Sequence, residues 1–432
     1  MDNRYEQIES DLFRTVRINK GFILWMGFLI VALAVCLYAY SIQLRTGLGV
    51  TGLRDYISWG MYIANFVFFV ASSLIGMLMS AVLGLIGIKW MKPLTRIAEV
   101  IALAFAAVAG LVIISDMGRP ERLPYVFIYG RFQSPILWDV TVVTTYVLIS
   151  ALLVYLPLIP DLAIGARRLD KPKWLRSAYD IMAVNWKGTP GQYQILHHSV
   201  KVLLVLIVPV ALAIHTVTSW LFASTARAGW NSTIFGPYFV SGAFVAGLAS
   251  VIIAMYFFRK NYKLEKYITL DHFDKVGKLL VLICLVYLYF NLNEFLVPAY
   301  KMERADLIHL EDLFIGENAG IFWFAQTFGL LLPILLLLFK AMRKPLPMLI
   351  IAILLFVASW VKRYIIVVPT QEHPFLPIQH VPGDFLVYKP TLIEFGITMA
   401  SFILVLLIIT VLSKLFPVIP VWEMKEEAGS NE

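Results

Sequence analysis

The sequence predicts an all-α integral membrane protein with ten transmembrane helices, and three observations carry that prediction. Of 432 residues, 60% are hydrophobic and only 15% are charged. The mean hydropathy is +0.78. Apolar runs of membrane-spanning length recur along nearly the whole chain. Soluble domains run near half apolar and about a quarter charged, so a soluble globular enzyme is excluded. At about 20 apolar residues per crossing, the apolar content suffices for roughly ten spans with short loops and leaves no separate soluble domain.

Apolar windows place the ten helices at roughly 21–43, 58–88, 93–117, 135–159, 197–222, 236–258, 275–300, 318–340, 346–368 and 391–416. Residues 1–20 precede the membrane domain, 21–416 form it, and 417–432 are a tail. The first twenty residues interleave Arg4, Arg14, Arg17 and Lys20 with Asp2, Glu6, Glu9 and Asp11, and the apolar run behind them lacks a small-residue cleavage site. This predicts a retained first helix, not a signal peptide.

Charge sets the expected orientation. With the N-terminus inside, 25 of the 36 Lys and Arg residues fall in inner segments, nine in outer ones, and two, Lys362 and Arg363, within helix nine. Cytoplasmic loops carry the basic excess, so both termini are expected in the cytoplasm of a cell-membrane protein, and the net charge of +8 speaks for orientation and not for nucleic acid. The 160–196 segment, with Arg167, Arg168, Lys171, Lys173 and Arg176, is expected on the inner leaflet, where anionic lipids attract basic segments. The outer loops 117–134, 223–235, 301–317 and 369–390 hold Tyr125, Tyr129, Trp230, His373, Pro374 and Pro377 and predict a compact outer surface. A faint parallel repeat sets Gly60-Met61-Tyr62-Ile63 against Gly236-Pro237-Tyr238-Phe239 at an offset of 176 residues. Repeated halves often hold a site between them, and chance competes with so short a match.

Cysteine and histidine bound the redox chemistry. Cys36 and Cys284 are the only cysteines, whereas an iron–sulfur cluster takes about four thiolates. Of seven histidines, only His215 lies deep in a span, where a bis-histidine haem needs a facing pair. Neither haem nor an iron–sulfur cluster is expected in this chain.

The informative residues are the polar ones inside hydrocarbon, which cost at least about 2.5–3.5 kcal/mol each and by default mark function. They are Asp116 ending helix three, Asp139 one turn into helix four, His215 late in helix five, Glu294 late in helix seven, Lys362 and Arg363 late in helix nine, and Glu394 one turn into helix ten. By the predicted topology Asp116, Asp139, Glu294, Lys362, Arg363 and Glu394 lie toward the outer half. Lys362, Arg363 and Glu394 have the plainer option of pairing with one another or snorkelling. The loop between Asp116 and Asp139 carries Arg119, Arg122 and Arg131 and returns the chain so that the two acids can approach, which suggests a proton-accepting pocket. The competing arrangement is an Asp116–Arg119 pair that ties off the helix end. Trp59, Tyr62 and Asn65 at the same end supply an aromatic wall and hydrogen bonds for a flat head group, or ordinary interfacial anchors.

Three stretches, Trp59-Gly60-Met61-Tyr62-Ile63, Asp116-Met117-Gly118-Arg119-Pro120 and Ser134-Pro135-Ile136-Leu137-Trp138-Asp139, resemble the hallmarks of the NrfD/polysulfide reductase membrane-subunit family. Gly229-Trp230-Asn231-Ser232-Thr233-Ile234-Phe235, Val367-Val368-Pro369-Thr370, His373-Pro374 and Leu376-Pro377 resemble its ten-helix branch, with the membrane subunits of alternative complex III and of the hydrogenase-2 and DsrP/HmeB types. The resemblance implies a quinone-interacting subunit without cofactors of its own, built from two four-helix bundles. These are helices two to five (about 58–222) and six to nine (about 236–368), with helices one and ten peripheral. It further implies menaquinone or another quinone as the redox partner and a ferredoxin-like iron–sulfur subunit docked on the outer face, within a larger respiratory complex. By motif match, the quinone pocket takes Asp116 and Asp139, with Trp59, Tyr62, Asn65 and Arg119 around them. Proton transfer falls to His215 and Glu294, with Lys362, Arg363 and Glu394 as further candidates. Some relatives carry His at the position of Asp116. A proton or ion transporter without redox role, and a structural anchor for a peripheral oxidoreductase, are the rival functions.

Overall fold

The computed structural model describes residues 2–168, 173–225, 227–373 and 380–430. Lys171 of the basic segment, and Pro374, Leu376 and Pro377 of the last motif, lie outside the described residues. Among the described residues, ten helices are long and apolar enough to cross a membrane and no strand occurs.

Helices one to five are Lys20–Thr46, Met61–Ile86, Lys92–Asp116, Pro135–Tyr155 and Pro190–Ala223. Helices six to ten are Phe235–Asn261, Leu270–Lys301, Ala319–Leu337, Pro345–Val367 and Leu392–Leu415. The chemistry of their ends follows the sequence. Asn19 caps helix one by accepting from Phe22 N at 2.8 Å, Thr189 and Gln192 form a capping box on helix five, and Thr391 and Glu394 form one on helix ten. Prolines open helices four, five and nine, where a missing N–H costs nothing.

Two departures from the expected helices have a physical reason. Helix five starts at Pro190 and not 197, because the capping box extends it past the apolar run. Helix eight is not regular: residues 327–331 form a π-turn. Pro333 lies just beyond it and cannot donate into the helical ladder, and a Cβ on Gly329 would approach the Ala358 Cβ to 3.0 Å, so the backbones pack closely there.

Helices two and six are the most enclosed of the ten and pack against each other. Helix two also packs on helices three, five and nine, and helix six on seven and nine. Helix ten packs on helix one but also on helix three, and it sends fully buried Glu394 inward.

The termini meet at one end of the bundle. A short helix at Asp2–Phe13 contacts the helix Val421–Ser430, and Lys425 bonds Glu9. The anchor beneath them is a buried ion pair: Arg96 Nη1 to Asp161 Oδ2 at 2.5 Å, with side chains 1% and 0% exposed. Asp161 also accepts from the backbone N–H groups of Val421 and Trp422 at 3.1 and 3.0 Å, so the C-terminal segment is tied to helices three and four.

Candidate functional site

Asp116, Asp139, Glu294 and Glu394 lie toward the end of the bundle opposite the termini, and the structure distributes them over three neighbourhoods. The first is built from helices one, two, three and ten. Tyr62, fully buried, donates its hydroxyl to Gln43 Oε1 at 2.6 Å, and Gln43 Nε2 donates to the carbonyl of Ser115 at 2.6 Å. The next residue, Asp116, lies within electrostatic reach of Tyr62 and Glu394. Its Oδ1 is buried and has no hydrogen-bond partner among the described residues.

Glu394 accepts from Gly52 N at 2.8 Å, Thr391 N at 2.9 Å and the Tyr388 hydroxyl at 2.5 Å. The Tyr388 oxygen in turn accepts from Met61 N at 2.9 Å. Gly60 is required beside it, because a Cβ there would stand 2.5 Å from the Tyr388 ring. Below, Asn65 donates to Thr398 at 2.7 Å and accepts from Trp360 Nε1 at 2.7 Å. Trp59 exchanges two backbone bonds with the Gln371 amide and packs its ring on Phe222 and Trp230. Gly229, at φ +84°, makes the turn that seats Trp230.

The second neighbourhood is Asp139, 3% exposed, which accepts from Thr218 Oγ1 of helix five at 2.5 Å. One turn before Thr218, His215 is fully buried and neither ring nitrogen has a partner among the described residues. Asp139, Tyr146 and Ser150 line one face of helix four, and Tyr146 donates to the Ser73 carbonyl at 2.8 Å. Farther toward the termini, Ser80 donates to Glu99 at 2.5 Å, both buried.

The third lies among helices six to nine. Glu294 accepts from Ser232 at 2.6 Å. Buried Lys362 has no hydrogen-bond partner among the described residues and instead places Nζ 4.8, 5.2 and 5.5 Å from the ring centres of Phe295, Phe322 and Tyr238, a cation–π cage. Arg363 donates to the Phe239 carbonyl at 3.1 Å and stacks on that ring. A small cavity of about 30 Å³ lies here beside Glu294, Asp306 and His309. His309, on the short helix Arg304–Phe314 outside the spans, is pushed down to about 4 by burial, with neighbouring His373 acting in the same direction.

Several expectations change. Asp116 and Asp139 do not bond each other: one belongs with Tyr62 and Glu394, the other with Thr218. Asp116 does not pair with Arg119, which is exposed on the loop and forms no ion pair among the described residues. Glu394 sits with Asp116 and not with Lys362 and Arg363. Gln43, Tyr388, Thr398 and Glu99 are not among the residues that the sequence singles out. Glu99 carries the same signal as the other intramembrane acids, while Gln43 resembles an ordinary polar residue at a helix end.

Residues 49–374 match the family described as polysulphide reductase, NrfD. The chain belongs to the NrfD family. It is 28% identical over 331 residues to a putative dimethyl sulfoxide reductase membrane subunit of Halobacterium salinarum, covering 74% of this chain and 70% of that one. It is 24% identical to an Hdr-like menaquinol oxidoreductase integral membrane subunit of Archaeoglobus fulgidus (91% and 93% covered). It is 23% identical to the integral membrane subunit of a menaquinone reductase of Nitratidesulfovibrio vulgaris (99% of each). As an NrfD-family member, this chain is a multi-pass integral membrane protein, and the curated relatives are membrane subunits of reductase or oxidoreductase complexes.

Proposed function

We propose that this chain is the quinone-reactive membrane subunit of a respiratory oxidoreductase, exchanging electrons between menaquinone and a ferredoxin-like iron–sulfur subunit on the outer face. The observation that carries it is the partnerless, buried Asp116 oxygen beside Tyr62, since a buried polar atom without a partner calls for one. The names of two relatives, a menaquinol oxidoreductase and a menaquinone reductase subunit, support the choice of quinone. The residues fit the hydroxyl of a quinol head group: Asp116 offers a free acceptor oxygen, and Tyr62, held by Gln43, stands beside it. Leu111 and Trp138, at 49% and 39% exposed, leave apolar surface toward the lipid for an isoprenoid tail. A bound quinone supplies two-electron, two-proton redox chemistry at this position.

Within that reading, Asp116 and Asp139 hold and move the protons. Thr218 orients the Asp139 carboxyl, and Gln43 fixes the end of helix three on which Asp116 sits. Neither acid forms an ion pair among the described residues, so no countercharge has to be displaced when a proton is exchanged. The face formed by Asp139, Tyr146 and Ser150, followed by Ser73, Ser80 and Glu99, is the natural route for proton translocation through helices two to five. The basic-residue split supports the cytoplasmic face for both termini.

The purified complex tests this directly. Quinone and iron co-purifying with the chain, and loss of quinone but not of iron on substituting Asp116 by Leu, are expected. A complex lacking both, yet moving ions in proteoliposomes, would sink the proposal in favour of transport.

A further inference from the structure

A cleft of about 690 Å³ opens where the two termini meet, at the end of the bundle opposite Asp116, Asp139, Glu294 and Glu394. Its wall is an aromatic row. Ring centres are 5.1 Å apart for Trp186–Tyr193, 6.1 Å for Tyr193–Trp422 and 5.4 Å for His197–Trp422. Arg167 and Lys187 also line it. Arg167 Nη2 donates to the Trp186 carbonyl at 3.4 Å, which holds the guanidinium against the row. Among the described residues neither Arg167 nor Lys187 has a carboxylate in ion-pair range, whereas the third cation of the cleft, Lys425, is bonded to Glu9. Glu426 is the one remaining acid that lines it, so the free charge is positive.

The depth of the cleft identifies what comes to it. Helix five begins at Pro190, but after Lys201 its stretch without Lys, Arg, Asp or Glu runs from Val202 to Ala223, about 33 Å at about 1.5 Å per residue, close to the hydrocarbon thickness. His197 therefore lies about 7 Å outside the hydrocarbon by the same rise, at the level of lipid head groups. Directly beneath, Val202, Val205 and Leu206 are 44%, 54% and 47% exposed and offer an apolar track on the lipid-facing side of the helix.

We propose that this cleft binds an anionic phospholipid, with its phosphate between Arg167 and Lys187 and its acyl chains along the exposed face of helix five. Its walls come from helix five, the extension of helix four at Ile159–Arg168, and both terminal helices. A lipid seated there would touch all four of these chain segments. The proposal is independent of the quinone reading.

The test uses the complete detergent-solubilised complex, delipidated and titrated with phosphatidylglycerol, phosphatidylcholine or inorganic phosphate, and read by native mass spectrometry and thermal midpoint. At about 1 kcal/mol per basic residue, the wild-type protein should prefer phosphatidylglycerol over phosphatidylcholine by about tenfold or more and gain thermal stability only with the former. The double variant Arg167→Gln/Lys187→Gln, at exposed positions, should keep its lipid-free midpoint and lose the preference. Equal affinity of the wild type for the two lipids, or a preference unchanged in the double variant, overturns the proposal. Displacement of the lipid by millimolar inorganic phosphate, with an equal thermal gain from phosphate alone, assigns the cleft to a soluble phosphate instead and also overturns it.

Discussion

The hydroxyl of Tyr62 in helix two donates to the side-chain oxygen of Gln43 in helix one at 2.6 Å, and the same amide holds the carbonyl of Ser115, the residue before Asp116. One neutral side chain thus fixes both the tyrosine of the candidate pocket and the helix end that carries its acid. Helix one, otherwise largely lipid-exposed, enters the site chiefly through this residue.

The Gln43→Leu variant should therefore lose more than its size suggests. It leaves the buried Tyr62 hydroxyl and the Ser115 carbonyl without partners, at about 1–3 kcal/mol for each unsatisfied group. A lower thermal midpoint together with reduced quinone turnover is expected. An unchanged midpoint and unchanged turnover would show the pair to be incidental.

The spans were legible because hydrocarbon length imposes a coarse signal that survives without knowledge of packing. Asp116, Asp139, Glu294, Lys362, Arg363 and Glu394 were legible for the related reason that ionisable groups in lipid are costly. The partners were not. Gln43–Tyr62, Asn65–Thr398 and Glu394–Gly52 join positions 19, 333 and 342 residues apart, and nothing local to either member encodes the pairing. The loop from Asp116 to Asp139 made an approach of the two acids plausible. Thr218 instead takes Asp139, because helix five packs against helix four at that level.

Orientation is testable independently of chemistry. From the 25-to-9 division of basic residues, a cysteine placed at exposed Asp384 should react with an impermeant reagent added outside intact cells. A cysteine at exposed Lys187 should react only after permeabilisation. The reverse pattern would invert the proposed topology.

Asp161 should be the most sensitive position at the terminal end. Its carboxylate serves Arg96 and two backbone N–H groups, all buried. Removing one member of a buried pair typically costs about 3–5 kcal/mol. Asp161→Ala should lower the thermal midpoint markedly and expose the C-terminal helix to limited proteolysis. Intact protection of residues 421–430 would show that Trp422 and its neighbours hold that segment without the acid.

The buried His309 predicts an acid-sensitive stability. Its pKa lies near 4 in the folded chain against an ordinary 6.5, so between those values the unfolded state binds the extra proton and stability falls as pH is lowered. Below about pH 4 the loss is complete, and at about 1.4 kcal/mol per unit it reaches roughly 3 kcal/mol. Comparing thermal midpoints of wild type and His309→Gln from pH 7.5 to 4 isolates this contribution. The wild type should decline more steeply, whereas parallel curves would mean that His309 titrates normally.

The decisive position is Asp139. The carboxyl is 3% exposed and bonded to Thr218, and no cation forms an ion pair with it among the described residues. A carboxyl enclosed in that way, with one hydroxyl to orient it, is placed to pass a proton at a fixed position. Asp139→Asn preserves volume and can still accept from Thr218, so assembly, iron content and quinone binding should survive. What it removes is the titratable proton, and loss of a general acid or base typically lowers turnover by about 10²-fold or more. Thr218→Val is the companion: it keeps the proton but frees the carboxyl to rotate, so a smaller loss is expected, with the pH optimum displaced. Wild-type turnover in a correctly assembled Asp139→Asn complex would move the proton acceptor to Asp116, whose buried oxygen has no other partner among the described residues.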